Sequence, residues 1–267
     1  MNRAQLKSDA KAAMSVTSPH PVLVTIVYLV IVYIIQAVVT SVSGISSLIG
    51  SGISDPETAE AIAFIMMIPT LILSLAASLI TSVLQIGYIG YSLRVINRHP
   101  AAIGDLFGYI RFFLKIIGLS IVMNLFISLW SLLFLIPGII AAYSYSQAFY
   151  IFAENPEKGI MECIQESKDL MKGHKMDKFV LDLSFILWGL LTIVTCGIAT
   201  IYVTPYMQVT NAAFYNTLKY GYTSYQQYSY RQEYTSTDYQ QDSRQSFQQY
   251  DQNYSTTGNP YNNDQNL

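Results

Sequence analysis

Charged residues are scarce in this sequence, at 12% of the chain, where soluble globular proteins average about 25%. They are absent altogether from four long stretches, 12–54, 61–93, 116–153 and 183–218. Hydrophobic residues make up 52% of the chain and the mean hydropathy is +0.33. A soluble fold is excluded on this composition, and the uncharged stretches predict a protein that crosses a membrane several times, because about 20 apolar residues span a bilayer as a helix.

Residues that carry catalysis or bind metals are also few. The two cysteines, Cys163 and Cys196, lie too far apart for a zinc motif, and no two of the histidines His20, His99 and His174 have metal-ligand spacing. The sequence has no P-loop, GxSxG or dinucleotide fingerprint. The net charge of −2 is not that of a nucleic-acid-binding protein. We expect no enzyme, no cofactor and no metal.

The uncharged stretches predict an all-α, polytopic transmembrane bundle over residues 1–218. Two stretches are nearly long enough for two helices, and Pro137-Gly138 and Cys196-Gly197 lie near their middles. Each of these stretches is therefore interpreted as a helical hairpin; one long kinked helix is the alternative. The predicted bundle has six spans in three hairpins, near 22–42, 69–92, 116–136, 139–153, 180–196 and 199–218. The first is too long for a secretory signal and no cleavage site follows it, so we expect it to remain uncleaved. The fourth span is short enough to be re-entrant.

The distribution of lysine and arginine predicts the orientation, because cytoplasmic loops carry the excess of these residues. Six spans place all 15 Lys and Arg residues on one side, whereas the loop 43–60 carries only acidic charges. We expect a multi-pass protein of the cell membrane with both termini in the cytoplasm. Four spans with two re-entrant hairpins would give the same sidedness.

The two later hairpins resemble each other in sequence. Each contains a Leu-Trp pair, a Leu-Leu pair, a glycine and an Ala-Phe-Tyr triplet, in that order. The first copy is Leu129-Trp130, Leu132-Leu133, Gly138 and Ala148-Phe149-Tyr150, and the second is Leu187-Trp188, Leu190-Leu191, Gly197 and Ala213-Phe214-Tyr215. The order predicts an internal repeat, of which the first hairpin is interpreted as a more diverged copy.

Two segments outside the spans have distinct patterns. Residues 157–172 form a predicted amphipathic helix with Gly173 as its C-terminal cap, lying either in the membrane interface or against the protein's own bundle. Residues 219–267 are rich in Tyr and Gln with almost no aliphatic side chains, which predicts a disordered cytoplasmic tail. The tail is interpreted either as a partner-binding segment or as a solvated extension.

The later part of the chain resembles one membrane family. The segments LLFLIPGIIAAYSYSQAFYIFAENP (132–156), ESKDLMKGHK (166–175), LDLSFILWGLL (181–191) and TPYMQVTNAAFY (204–215) follow each other in the order of the family catalogued as domain of unknown function 975. The opening AQLKSDAKAAM (4–14) is similar to that family's N-terminal pattern. The resemblance implies a bacterial integral membrane protein and supplies no reaction.

Several residues are candidates for an interface or a motif. Asp182 is the one ionisable residue inside a predicted span, and Lys178 four residues earlier predicts a surface ion pair. The candidates are Pro137, Gly138, Glu154, Asn155, Ser167, Gly173, His174, Lys175, Asp182 and Pro205. The sequence favours a non-enzymatic protein that assembles with other membrane proteins; a carrier or channel for a small solute or lipid, using Gln85, Asn124 or Asn211, is the alternative.

Overall fold

The computed structural model describes residues 2–51 and 55–221, so nearly all of the predicted tail lies outside the described residues. All elements in the described ranges are helices. They are α1 (Arg3–Val16), α2 (Pro21–Ser51), α3 (Pro56–Ile96), two short 3₁₀ turns (Ile103–Phe107 and Ile110–Phe112), α4 (Phe113–Leu133), α5 (Leu135–Tyr145), α6 (Ala148–Glu154), α7 (Ile160–Leu170), α8 (Lys175–Leu183), α9 (Ile186–Val194) and α10 (Thr200–Tyr220). The predicted all-α class is confirmed.

Four segments are long and apolar enough to cross a membrane. They are Pro21–Ile49, Glu60–Ile96, Ile103–Leu133 and Leu135–Glu154. The remaining two predicted spans differ from each other in the structure. Span 180–196 is divided between the nine-residue helices α8 and α9, whereas span 199–218 corresponds to the single helix α10. A membrane protein with several apolar helices is therefore supported.

The chain turns between α4 and α5 at Phe134, whose φ of −157° and ψ of 146° are extended. The turn therefore lies three residues before Pro137, where the sequence predicted it. Pro137 itself lies in the first turn of α5, where its missing N–H costs no hydrogen bond. Gly138 lies directly against α4: a Cβ built there would be 2.1 Å from Ser131 Oγ. Phe126 and Tyr145, farther from the turn, also lie 6.1 Å apart between ring centroids. The two helices therefore form an antiparallel hairpin.

The second predicted turn lies where the sequence indicates it. Cys196 and Gly197 both have positive φ, 51° and 88°, between α9 and α10. Tyr206 of α10 then packs against Trp188 of α9, at 5.8 Å between ring centroids. By contrast, the predicted span 69–92 starts too late, because α3 begins at Pro56 and continues through Pro69.

Buried side chains are concentrated at one end of each hairpin, next to the segments that link the hairpins. We call this packed region the base; it comprises α1, residues 83–123, residues 141–185 and residues 203–220. The other ends, which we call the arms, comprise residues 26–80, 124–140 and 186–202. Among the arm residues whose side chains are described, Gly138 alone is buried. The hairpins are thus held together through the base.

Candidate functional site

The polar residues of the base meet around Glu154, the last residue of α6. Its Oε2 accepts hydrogen bonds from Lys219 Nζ at 2.5 Å and from the hydroxyl of Tyr215. Its Oε1 accepts one from the hydroxyl of Tyr220. All three donors belong to the last two turns of α10, so one carboxylate fastens the end of α10 to the end of α6.

Helix α7 joins the same network through Glu166. Lys219 Nζ lies 4.0 Å from Glu166 Oε1, and the other oxygen of Glu166 pairs with Lys158. The hydrogen bond to Glu166 raises the pKa of Lys158 above its ordinary value. We call the set Glu154, Lys158, Glu166, Tyr215 and Lys219 the base network.

The base network lies between equivalent residues of the internal repeat. Tyr150 and Tyr215, the last residues of the two Ala-Phe-Tyr triplets, stack with ring centroids 5.7 Å apart. Glu154 and Lys219 each follow these tyrosines by four residues and pair with each other. Matching positions of the two hairpins therefore contact each other, as expected for two copies related by a pseudo-two-fold axis.

Ser167 of α7 is fully buried and inserts into the break between α5 and α6. Its hydroxyl donates to the carbonyl of Ser144 at 2.8 Å and accepts the backbone N–H of Gln147 at 3.1 Å. Backbone groups that lose helical partners at a break must be paired elsewhere when buried. One serine supplies both partners. The apolar face of α7, with Cys163 and Ile164, is buried too, so the structure favours packing against the bundle over lying in the interface.

The Lys178–Asp182 pair is present, but its predicted position at the surface is wrong. The side chain of Lys178 is 9% exposed and that of Asp182 is 34% exposed. Tyr143 of α5 packs against Phe179 of α8, with 6.0 Å between the ring centroids. The lysine stem does not extend to the surface because α8 turns this face toward α5.

The other predicted residues do not join these clusters. Gly173 has the positive φ of 78° that its capping role needs, but it lies three residues beyond the last residue of α7. His174 is exposed with its Nδ1 3.0 Å from Asp177, and Lys175 begins α8. Pro205 is buried inside α10. Asn155 caps α6, and its Oδ1 accepts the N–H of Glu157 at 3.2 Å. The ten candidates are thus spread over several places.

The carboxylates of the base network are paired with donors from other parts of the chain. Both oxygens of Glu154 are occupied by donors from α10. In the ranges that the structure describes, no group of three or more His, Cys, Asp or Glu side chains is placed to hold a metal ion. Burial raises the pKa of Cys163 to about 11, so this residue is a neutral thiol near pH 7.

A family match covers all five residues of the base network. Residues 132–221 match the family described as "Protein of unknown function (DUF975)". The resemblance seen in the sequence is confirmed over this range, which extends from the end of α4 through α10 and includes Glu154, Ser167 and Lys219. No curated protein and no solved structure matches the chain.

Sequence reasoning missed most of the base network. Lys158, Glu166, Tyr215 and Lys219 are not among the candidate residues. The repeat contained a usable signal, because an offset of 65 residues relates Tyr150 to Tyr215 and also Glu154 to Lys219. Opposite charges at equivalent positions of two repeats favour a contact between the copies.

Proposed function

We propose that this protein is a non-enzymatic assembly protein of the cell membrane, in which a rigid base presents apolar hairpin arms to other membrane proteins. The observation that carries the proposal is the contrast in burial along each hairpin. Leu119 in the base part of α4 is 0% exposed, whereas Leu129 ten residues later is 61% exposed. Large exposed apolar surfaces of this kind bind either lipid or partner helices.

The proposed topology has six spans with both termini in the cytoplasm. From Lys115 to Phe134 an α-helix rises about 28 Å, close to the thickness of a bilayer core of about 30 Å. Residues 175–196, from the start of α8 to the turn at Cys196, are similar in number to residues 115–134. The base contains all lysines and arginines of residues 2–221, which supports placing it at the cytoplasmic side.

The proposal is tested by photo-cross-linking in native membranes. A photoreactive residue replaces Leu129 in an arm, and the matched control replaces Leu119 in the same helix. We expect a reproducible cross-linked protein, near one per chain, from position 129 and none from position 119. Lipid adducts without any protein adduct at position 129 would contradict the assembly function.

The same experiment with residues 222–267 removed assigns the role of the tail. Loss of the partner on truncation would place the binding in the tail. Retention would place it in the arms. This comparison uses the full chain as reference and retains the whole base.

A carrier for a small solute is a second candidate, favoured by polar atoms buried without partners. In the described part of the chain, Asn211 Oδ1 and Gln147 Oε1 are buried and accept no hydrogen bond. The other proposed residues are less suited, because Asn124 donates to Ser120 of its own helix and both Asn124 and Gln85 are exposed. Loss of solute flux in vesicles for Asn211→Leu, with an unchanged melting temperature, would support a carrier; flux equal to that of the Asn124→Leu control would contradict it.

A further inference from the structure

The basic residues of the base differ in whether a carboxylate lies beside them. Six of them lie within 4.0 Å of a carboxylate, namely Arg94, Lys115, Lys158, Lys172, Lys178 and Lys219. The three basic residues of α1, Arg3, Lys7 and Lys11, have no carboxylate partner among the residues that the structure describes. The cations of α1 can therefore receive an anionic ligand.

The three cations share one stripe of a fixed helix. Their spacing of four residues places Arg3, Lys7 and Lys11 above one another on successive turns. Leu6 and Ala10, beside this stripe, are fully buried, because α1 packs against α3 and α10. The packing holds the backbone of the stripe in place.

Lys7 reaches the junction between α8 and α9. Its Nζ donates to the carbonyl of Ser184 at 3.3 Å and lies 4.2 Å from the centre of the Phe185 ring. Partial burial lowers the pKa of Lys7 below its ordinary value. The nearest acid on α8, Asp182, is already paired with Lys178. A cation at this position has spare donors and no carboxylate partner within residues 2–51 and 55–221.

The surface next to Lys7 is apolar and exposed. Leu183, Ile186 and Leu187 flank Ser184 and Phe185, and their exposed fractions are 50%, 53% and 75%. A ligand that fits here combines an anionic group at the α1 stripe with apolar chains along α9. A phospholipid has both parts, and basic sites at the ends of membrane helices are typical positions for acidic headgroups.

We propose that the α1 stripe and the α8–α9 junction bind an anionic phospholipid, with the headgroup phosphate at Lys7, Arg3 and Lys11 and an acyl chain against Ile186 and Leu187. The bound lipid supplies a counter-ion for these three cations and fills the exposed apolar surface at the start of α9. This site shares Ile186 and Leu187 with the first turn of one arm, and it lies at the opposite end of the arms from their turns.

The test measures lipid retention by the purified full-length protein. The protein is exchanged into detergent containing equal amounts of phosphatidylglycerol and phosphatidylcholine, and bound lipids are counted by native mass spectrometry. We expect the wild type to retain phosphatidylglycerol preferentially. Lys7→Gln should lower the ratio of the two bound lipids about fivefold, the effect of one interfacial cation. Lys7→Arg, which preserves the charge, should retain the wild-type ratio.

Arg111→Gln is the matched control, because Arg111 is an exposed basic residue that stacks on Phe112 rather than belonging to the stripe. It should retain the wild-type ratio. Equal retention of both lipids by the wild type, or the same ratio for Lys7→Gln and Arg111→Gln, would overturn the site. Neither result bears on the cross-linking at Leu129, so the two proposals fail separately.

Discussion

Glu154 shows how far a single residue can be understood from the sequence. Its place at the end of an apolar stretch, before Asn155-Pro156, marks it as the end of a helix. Its three donors, however, lie 61 to 66 residues farther along the chain. Such contacts depend on the packing of two hairpins, which local patterns do not specify.

The pairing of Glu154 with Lys219 is expected to stabilise the fold measurably. Both side chains are less than one third exposed, and a hydrogen bond to a charged group contributes about 1.5–3 kcal/mol. We expect Lys219→Met to lower the free energy of unfolding by about 1–2 kcal/mol, discounted for residual exposure. Thermal unfolding in detergent measures the change.

Lys172→Met is the control for this prediction. Lys172 also pairs with a carboxylate, Asp169, but the two side chains are 75% and 49% exposed. An exposed pair contributes little to stability because water screens it, so the melting temperature should hardly change. Equal shifts in melting temperature for the two variants would show that the Lys219–Glu154 pair does not stabilise the fold.

Removal of the Ser167 hydroxyl is expected to destabilise the fold more than the loss of one hydroxyl usually does. Ser167→Ala leaves the buried Ser144 carbonyl and the buried Gln147 N–H without their partner. Each unpaired buried group costs about 1–3 kcal/mol, so the variant should melt at a clearly lower temperature than the wild type. Ser128→Ala is the control, because Ser128 is exposed and bonds only within its own helix. Similar melting temperatures for the two variants would contradict the role of Ser167 at the break.

At the scale of elements, the sequence predicted one hairpin turn correctly, displaced the other and did not predict the break between α5 and α6. Gly197 marked the turn between α9 and α10, because a positive φ there favours glycine. Pro137 led to a predicted turn three residues too late, since a proline is as compatible with the first turn of a helix as with a loop. The break at Ser146-Gln147 has no proline or glycine; Ser167 of another helix stabilises it, so local sequence could not reveal it.

The hairpin of α4 and α5 depends on the absence of a side chain at Gly138. A Cβ there would lie 2.1 Å from Ser131 Oγ and 2.8 Å from Ser131 Cα. Gly138→Ala must therefore move one helix, and such overpacking costs about 1–3 kcal/mol. Gly44→Ala is the matched control, since no atom lies within 4 Å of the added methyl group in α2. Thermal unfolding should show a loss for position 138 and no loss for position 44; equal stability would mean that the helices do not approach closely.

At the scale of the whole molecule, charge predicted the general plan and burial completed it. The charge-free stretches correctly indicated apolar helices, and four of them have the length and composition of membrane spans. The base could not be predicted, because α1, α7 and α8 are short amphipathic helices whose partners are distant in sequence. Their patterns specify which face is apolar, whereas the packed hairpins determine what covers that face.

The six-span topology makes a prediction about the hairpin turns. If α4 and α5 cross the membrane fully, Phe134 lies on the outer side, opposite Lys172 in the base. In a protein with Cys163→Ser and Cys196→Ser, a cysteine at position 134 should react with a membrane-impermeant maleimide added outside intact cells. A cysteine at position 57, in the first turn of α3, should react in the same way, and a cysteine at position 172 should react only after the membrane is opened. Protection of position 134 with labelling of position 57 would instead support a re-entrant hairpin, because a turn that stops within the bilayer is reached from neither aqueous phase.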